Sequence, residues 1–185
     1  MKCGRRGWWL DVQDWQIIVT ECGPLVWRTA YRLLGNHADA ADCFQETFLA
    51  ALELSRRQPV RNMSGLLVRL ATTRAIDHLR QRGRHEHWQA ESRDCDETAG
   101  SGPAAAAQAQ EVVGQLREAI GQLPAQEAKV FCLRYLSEMS YRQIARQLGI
   151  GINIVGVSLY RAKARLREAL GAVQMDPDEV SHEEA

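Results

Sequence analysis

Apolar side chains in the first half of the chain recur every three or four residues, the spacing of one face of an α-helix. One such series runs from Val26 to Leu34 and is followed by Gly35, a residue typical of helix C-termini. A second helix is predicted from about Asp39, and a third over about residues 64–82. The alternating pattern of a half-buried β-strand is missing throughout the sequence.

The second half repeats the helical spacing with clearer boundaries. Pro124 suits the first turn of a helix over about residues 125–136. Ser140, with Gln143 three residues later, forms a capping box and predicts another helix start. Gly149 ends that helix. The final helix has a predicted core stripe of Ile152, Val155, Leu159, Ala162, Leu166 and Leu170.

A composition change divides the chain. Residues 89–110 are acidic, contain Gly, Ser and Pro, and carry almost no large apolar side chain that could enter a core. The predicted fold class is therefore all-α: two small, independently folding helical domains, residues 11–88 and 111–172, joined by a flexible acidic linker. An N-terminal extension of residues 1–10 and an acidic, disordered tail of residues 173–185 complete the chain.

The charges are balanced in total but segregated along the sequence. The formal net charge is zero, yet residues 56–84 carry eight arginines and one acidic residue. Residues 134–167 carry seven basic residues and one acidic residue, whereas residues 85–111 carry six acidic residues and one arginine. Two basic blocks with an acidic spacer between them predict two surfaces that face a polyanion.

Several classes of protein are disfavoured by what the sequence lacks. Its five cysteines are scattered and include no C-x-x-C pair, which argues against a disulfide framework and for the cytoplasm. No stretch has the length or apolar character of a membrane span or secretory signal. Phosphate-binding glycine loops, nucleophile elbows and paired acids are also missing. We therefore expect no catalytic site, cofactor, bound metal or membrane insertion.

The last two predicted helices form a helix-turn-helix pattern. Two short helices are joined by a glycine-containing turn, and the second carries Arg161, Lys163, Arg165 and Arg167. Such cations neutralise phosphates and release counterions from DNA. This pattern predicts DNA binding, with this four-helix domain as the reader.

At this level of detail the chain resembles the extracytoplasmic-function sigma factors of bacterial RNA polymerase. The stretches LPAQEAKVFCLRYLSEMSYRQIARQLGI and VGVSLYRAKARLREAL resemble domain four of that family, which reads the minus-thirty-five element. HADAADCFQETFLAAL resembles the domain-two segment that docks on the clamp helices of the largest polymerase subunit. LLVRLATTRAIDHLRQRGR resembles the segment that reads and melts the minus-ten element.

The resemblance implies a non-enzymatic sigma subunit that directs promoter-specific initiation. Its implied partners are promoter DNA, the clamp helices and β-subunit flap of core polymerase, and an anti-sigma factor; when free it would be a monomer. The implied polymerase-binding residues are Asp39, Asp42, Phe44, Gln45 and Glu46. The implied contacts to the single-stranded minus-ten element are Arg56, Arg57, Arg61, Met63, Arg69, Thr73, Arg74, Asp77 and Arg80. The implied helix-turn-helix contacts are Tyr141, Arg142, Gln143, Asn153, Ile154, Val157, Ser158, Tyr160, Arg161, Lys163 and Arg165.

The chain departs from the family pattern at both DNA-facing helices. Leu66 and Met63 stand where Trp and Phe are common, and Thr73 replaces a common Asn. The reading helix starts Ile-Val-Gly-Val-Ser at residues 154–158, where the family commonly has Thr-Val-Lys-Ser-Arg. Helical geometry turns Val155 inward and Ile154 and Val157 outward. Three outcomes follow: contacts shift to Asn153, Ser158, Tyr160 and Arg161; recognition is weak; or thymine methyl groups are read by apolar contact.

Three other interpretations compete with a sigma factor. A helix-turn-helix regulator that does not bind polymerase accounts for the second half of the chain. It leaves unexplained the polar stripe of Asp42, Gln45 and Glu46 and the basic block of residues 56–84. A metal enzyme would need His78, His85, His87 and Cys95, whose spacing fits no standard zinc pattern. A helical adaptor without a nucleic-acid role would use Ile154 and Val157 as a protein-binding patch.

Overall fold

A computed structural model describes residues 12–90 and 104–171 of the chain, and every regular element in those two ranges is an α-helix. This confirms the predicted all-α class. The helices, in chain order, are α1 (Val12–Leu34), α2 (His37–Arg57), α3 (Met63–Ala90), α4 (Ala104–Gln122), α5 (Ala125–Tyr135), α6 (Tyr141–Leu148) and α7 (Ile152–Ala169). We call α1–α3 the N-terminal unit and α4–α7 the C-terminal unit.

The local sequence signals account for several helix boundaries. Asn36 caps α2, because its side-chain oxygen accepts a hydrogen bond from the Asp39 backbone N–H at 2.8 Å. The capping box at Ser140 and Gln143 is present in both directions, which confirms that prediction. Gly149 ends α6 with a φ of 67°, a left-handed conformation that glycine adopts without steric cost.

The predicted linker of residues 89–110 is too long at both ends. Helix α3 continues to Ala90, and α4 already begins at Ala104. Residues 104–107 are four consecutive alanines, and alanine has the highest intrinsic helix propensity, so a helix forms there without large apolar side chains. The acidic middle of the linker, the N-terminal extension and the acidic tail lie outside the described residues.

The two predicted helical domains are present, and they pack against each other, because one apolar core runs through both units. Ile76 and Leu79 of α3 belong to the same buried cluster as Ile120, Leu133 and Ile144 of the C-terminal unit. A second, smaller cluster lies entirely within the N-terminal unit and consists of Val26, Ala51, Leu67 and Ala71. Helix α3 therefore contributes side chains to both clusters and connects the two units.

Polar contacts reinforce this junction. The Arg80 guanidinium donates hydrogen bonds to the backbone carbonyls of Gly121, at 3.2 Å, and Leu123, at 2.6 Å. Arg32 donates to the Leu136 carbonyl at 3.1 Å. The side-chain amides of Gln147 of α6 and of Asn62 lie against Gly65 of α3, so a Cβ at that position would have to displace them. The two units are thus held by a buried apolar core and by guanidinium groups that donate to backbone carbonyls.

One predicted core residue lies outside the core. Ile152 is exposed, whereas the rest of its predicted stripe through Leu166 is buried. The residue opens α7, directly after the cap residue Gly151. Among the helices that the structure describes, none combines the length and the hydropathy needed to cross a bilayer.

Candidate nucleic-acid interface and docking face

The outer face of α2 carries two of the five residues predicted to bind polymerase. Asp42 and Gln45 are exposed, and Leu49, four residues beyond Gln45, has 61% of its surface exposed. The buried residues of α2, including Cys43 and Thr47, lie on the opposite side. We name Asp42, Gln45 and Leu49 the α2 outer stripe. Sequence analysis missed Leu49, although its spacing from Gln45 places both on one face.

Two of the other three predicted residues, Asp39 and Phe44, serve the fold of the N-terminal unit. Asp39 is half-buried, and its Oδ2 accepts a hydrogen bond from Asn36 Nδ2 at 2.7 Å. The Phe44 ring lies 4.8 Å from that of Phe48 and 6.2 Å from that of Trp27, measured between centroids. Phe44 thus packs inward, as its partly buried surface allows. Neither residue belongs to the outer stripe.

Glu46 lies at the edge between α2 and α3. Its Oε2 is 3.5 Å from His78 Nε2 and 3.9 Å from Arg74 Nε, both on α3. The carboxylate is about half exposed, so this pairing is screened by water and contributes little to stability. Glu46 therefore both contacts α3 and remains partly exposed to solvent.

The nine residues predicted to contact the minus-ten strand are not brought onto one surface. Arg56, Arg57 and Arg61 are exposed around the connection between α2 and α3. Met63 is half-buried and packs against the smaller core cluster. The Thr73 hydroxyl donates to the Arg69 carbonyl at 2.9 Å within α3.

The outer edge of α3 forms a small polar depression next to Glu46. Arg74, Asp77 and His78 line it together with Arg80. Arg80, however, donates hydrogen bonds to the carbonyls of Gly121 and Leu123 at the end of α4, so a DNA contact by Arg80 stays a prediction that requires these bonds to open. The attraction of a guanidinium for the negative end of a helix explains this position.

A cleft of about 980 Å³ separates the α2–α3 connection from α6. Arg61 and Asn62 line one wall, and Gln143, Arg146 and Gln147 line the other. Basic side chains from the two charge blocks therefore meet at one opening, which the linear sequence did not indicate.

The helix-turn-helix of α6 and α7 presents a mixed apolar and basic outer surface. Asn153, Ile154, Val157, Tyr160 and Arg161 are exposed on α7. Val155 is fully buried, which confirms the predicted orientation of the start of this helix. Arg142 and Tyr141 are exposed at the start of α6, and Arg134 lies 5.5 Å from the Tyr141 ring.

Ser158 is the clearest correction among the predicted DNA contacts. It is buried, and its hydroxyl accepts a hydrogen bond from Gln126 Nε2 of α5 at 3.3 Å. Its position on α7 is three residues from Val155 and four from Ala162, both in the core, so it faces α5 instead of solvent. Ser158 cannot reach a base from there.

Three further members of the predicted set are engaged within the C-terminal unit. Arg165 Nε lies 3.2 Å from Oε2 of Glu127, a buried carboxylate on α5. Lys163 Nζ lies 5.2 Å from the centre of the Tyr135 ring. Gln143 closes the capping box of α6. The basic run on α7 thus splits into cations that pack against α5 and cations, such as Arg161, that remain outside.

The structure brings together no metal-binding cluster of His, Cys, Asp and Glu among the residues it describes. Cys95, one of the four residues in the rival metal site, lies outside that part of the chain. Burial raises the pKa of the Cys43 thiol to about 11 and that of the Cys132 thiol to about 12. These two cysteines are therefore protonated, inert core residues at neutral pH.

Comparison with known proteins gives the same two regions in the same order. The family model described as Sigma-70 region 2 matches residues 18–85, and Sigma-70, region 4 matches residues 114–166. These ranges correspond to the N-terminal and C-terminal units, and the whole predicted linker of residues 89–110 lies between them.

Two curated relatives span most of this chain. The ECF RNA polymerase sigma factor SigE of Mycolicibacterium smegmatis is 28% identical over 159 residues, covering 85% of this chain and 62% of SigE. The ECF RNA polymerase sigma factor SigW of Bacillus subtilis is 27% identical over 154 residues, covering 78% of this chain and 82% of SigW. The chain therefore spans somewhat under two thirds of the length of SigE.

Two solved structures share the helical fold. One is the sigma factor RpoE in complex with the anti-sigma factor NepR from Bartonella quintana, with a TM-score of 0.53, 21% identity, and coverage of 88% of this chain and 100% of RpoE. The other is CnrH in complex with the cytosolic domain of CnrY, with a TM-score of 0.56, 20% identity, and coverage of 89% and 92%. Both sigma regions, the curated relatives and this architecture agree: the chain belongs to the extracytoplasmic-function sigma factors of bacterial RNA polymerase.

Proposed function

We propose that this chain binds core RNA polymerase and directs promoter-specific transcription initiation by recognising and melting promoter DNA. The observation that carries the proposal is the presence of both sigma regions, 2 and 4, in one all-helical chain. A regulator that only binds DNA would need the second region alone. The chain itself would have no catalytic activity and would act in the cytoplasm, where core polymerase works.

In this proposal the α2 outer stripe docks on the clamp helices of the largest polymerase subunit. Asp42 offers a carboxylate, Gln45 an amide and Leu49 a large apolar side chain on one exposed face. An apolar centre with polar neighbours is the usual composition of a helix-docking surface. Glu46 would contribute from the edge, in competition with His78 and Arg74.

The exposed arginines beside the stripe would guide the melted DNA strand. Arg56 and Arg57 end α2, Arg61 lies in the connection to α3, and none of the three has an acidic partner in the described part of the chain. Phosphate contacts of this kind position a single strand, and bases are then held by stacking or pockets. Arg80 would join them only after leaving the carbonyls of Gly121 and Leu123.

The C-terminal unit would bind the upstream promoter element with α7 in the major groove. Arg142, Arg146 and Arg161 are exposed near that helix and would hold phosphates. The β-subunit flap would be its polymerase contact. We also propose that the free chain is a monomer with an anti-sigma partner, as the complexes of RpoE with NepR and of CnrH with CnrY suggest.

A reconstituted transcription assay tests the proposed function. The purified chain is added to core polymerase on a genomic promoter library, and promoter-dependent transcripts are sequenced. Transcripts with a common upstream and minus-ten pattern support the proposal. DNA binding without any core association would contradict it and would favour the helix-turn-helix regulator.

A charge variant tests the docking face separately. Asp42→Arg with Leu49→Asp should weaken binding to core polymerase by roughly tenfold or more, because the double change removes the carboxylate and the large apolar side chain of the stripe. Glu111→Lys is the matched control, since Glu111 is an exposed acid on α4. Equal core binding by both variants would place the docking face elsewhere.

A further inference from the structure

The start of α7 exposes more apolar surface than its packing requires. Ile154 is 47% exposed, Val157 is 50% exposed and Tyr160 is 76% exposed. These three residues, which we name the α7 outer ridge, follow one another at three-residue intervals along the helix. The core contacts of α7 are made by Val155 and Leu159 on the other side. The ridge is therefore not part of the fold's core.

The surroundings of the ridge are strongly basic. Residues 139–167, which include all of α6 and most of α7, contain six Lys or Arg and no Asp or Glu. Arg142, Arg146 and Arg161 are exposed, and the structure gives none of them an acidic partner within its described ranges. An apolar ridge flanked by unpaired cations is complementary to a binding partner whose surface is anionic at its edges and apolar at its centre.

The major groove of DNA has that composition wherever a thymine is present. Phosphates border the groove, and the C5 methyl group of thymine is the apolar feature of its base edges. Bases are read by hydrogen bonds from polar or charged side chains, and Ile154 and Val157 have no group that can donate or accept one. The polar neighbour on this face is Asn153, which can accept and donate to an adjacent base.

We propose that Ile154 and Val157 recognise thymine by apolar contact with its C5 methyl group in the upstream promoter element. This inference rests on the proposed function and adds the class of base that the site reads. Tyr160 would extend the contact toward the backbone, with Arg161 on a phosphate. Sequence preference would then come from methyl groups, and binding strength from the surrounding cations.

Deoxyuridine substitution isolates the methyl group. Uracil pairs with adenine as thymine does but lacks the C5 methyl, so hydrogen bonding in the groove is unchanged. The holoenzyme first selects duplexes from a random upstream library, and the selected thymines are then replaced one at a time. We expect at least one replacement to weaken binding about three- to fivefold, the effect of removing one buried methyl-sized group.

Protein variants assign that effect to the ridge. In Ile154→Ser or Val157→Ser holoenzyme, the sensitive thymine and its uracil replacement should bind equally, because the apolar partner is gone. Val19→Ser is the matched control, since Val19 is an exposed valine on α1, and it should retain the full difference. Circular dichroism of each free variant checks that helix content is preserved.

The outcomes separate the two proposals. Sequence-selective binding with no loss at any uracil position overturns the methyl contact and leaves the sigma function intact. Serine variants that keep the thymine preference overturn it too, and would assign the ridge to a protein partner. A holoenzyme that neither forms nor selects any promoter overturns the proposed function and this inference with it.

Discussion

The two units of the molecule differ in how much of their core they share with each other. The N-terminal unit has a small core of its own, around Val26 and Leu67, in addition to its share of the large core. The buried side chains of the C-terminal unit that cluster at all belong to the large core, which they share with Ile76 and Leu79 of α3. The second unit therefore depends on the first more than the first depends on the second.

The basic blocks of the two units differ in a related way. In the N-terminal unit Arg57 and Arg61 are exposed, whereas Arg80 is bonded to carbonyls at the end of α4. In the C-terminal unit Arg165 and Lys163 pack against α5, and Arg161 points outward beside them. A count of basic residues thus overstates the charge available to DNA, since each block also holds the fold together.

The largest expected effect comes from opening the shared core. Ile76→Ala removes a fully buried side chain of α3 and should cost about 2–5 kcal/mol of unfolding free energy in urea titrations. Hydrogen exchange should also quicken in α5 and α6, because their core includes Ile76.

Leu67→Ala is the matched variant in the smaller core. It removes a side chain that is equally buried, but its cluster contains no residue of the C-terminal unit. Exchange should quicken mainly in α1–α3. Similar exchange patterns in the two variants would contradict the asymmetry between the units.

Alkaline pH probes one buried thiol in each unit. The pKa of Cys43 is raised to about 11 and that of Cys132 to about 12, from 9.0 in each case. Between pH 9 and these values the unfolded chain loses protons that the folded chain keeps, so stability falls as pH rises. For Cys43 the loss should reach up to about 3 kcal/mol by pH 11.

Replacing either cysteine by alanine should make the unfolding free energy less dependent on pH, by the amount that the replaced thiol contributes. Urea titrations from pH 8 to 11 compare Cys43→Ala and Cys132→Ala with the parent chain. A slope identical in all three proteins would show that these thiols are not buried as described.

A smaller effect is expected at the junction. Arg80→Ala removes two hydrogen bonds to backbone carbonyls of the C-terminal unit and should cost about 1–2 kcal/mol, less than a fully buried charged bond because Arg80 is half exposed. Arg56→Ala, at an exposed arginine, should change stability by about 0.5 kcal/mol or less. Equal losses of stability for Arg80→Ala and Arg56→Ala in thermal unfolding would show that the Arg80 hydrogen bonds do not stabilise the junction.

The smallest expected effect is a gain. Gly156 lies inside α7, and a Cβ there would meet its nearest neighbour, Tyr141 Cε2, at an ordinary 3.9 Å. Gly156→Ala should therefore stabilise the chain by up to about 1 kcal/mol through helix propensity. Thermal unfolding measures the gain, and a loss of stability would reveal a backbone conformation at Gly156 that alanine cannot adopt.

Much of the helical architecture could be predicted because its signals are local. The stop at Gly35, the capping box at Ser140 and the inward turn of Val155 each depend on a few neighbouring residues. The start of α4 was not predicted, because residues 104–107 have no large apolar side chain to enter a core. Alanine nevertheless forms helix through its intrinsic propensity. The outer face of α2 was found except for Leu49.

By itself, the sequence determined the helices, their order, the two sigma regions and the two basic blocks, since periodicity, caps and composition are properties of short stretches. Only the tertiary structure decided which of those charged and polar groups are free. Arg80, Ser158 and Arg165 find partners 41, 32 and 38 residues away, on helices α4 and α5. Contacts over such distances depend on how α3 and α7 pack against their neighbours, and no local spacing encodes them.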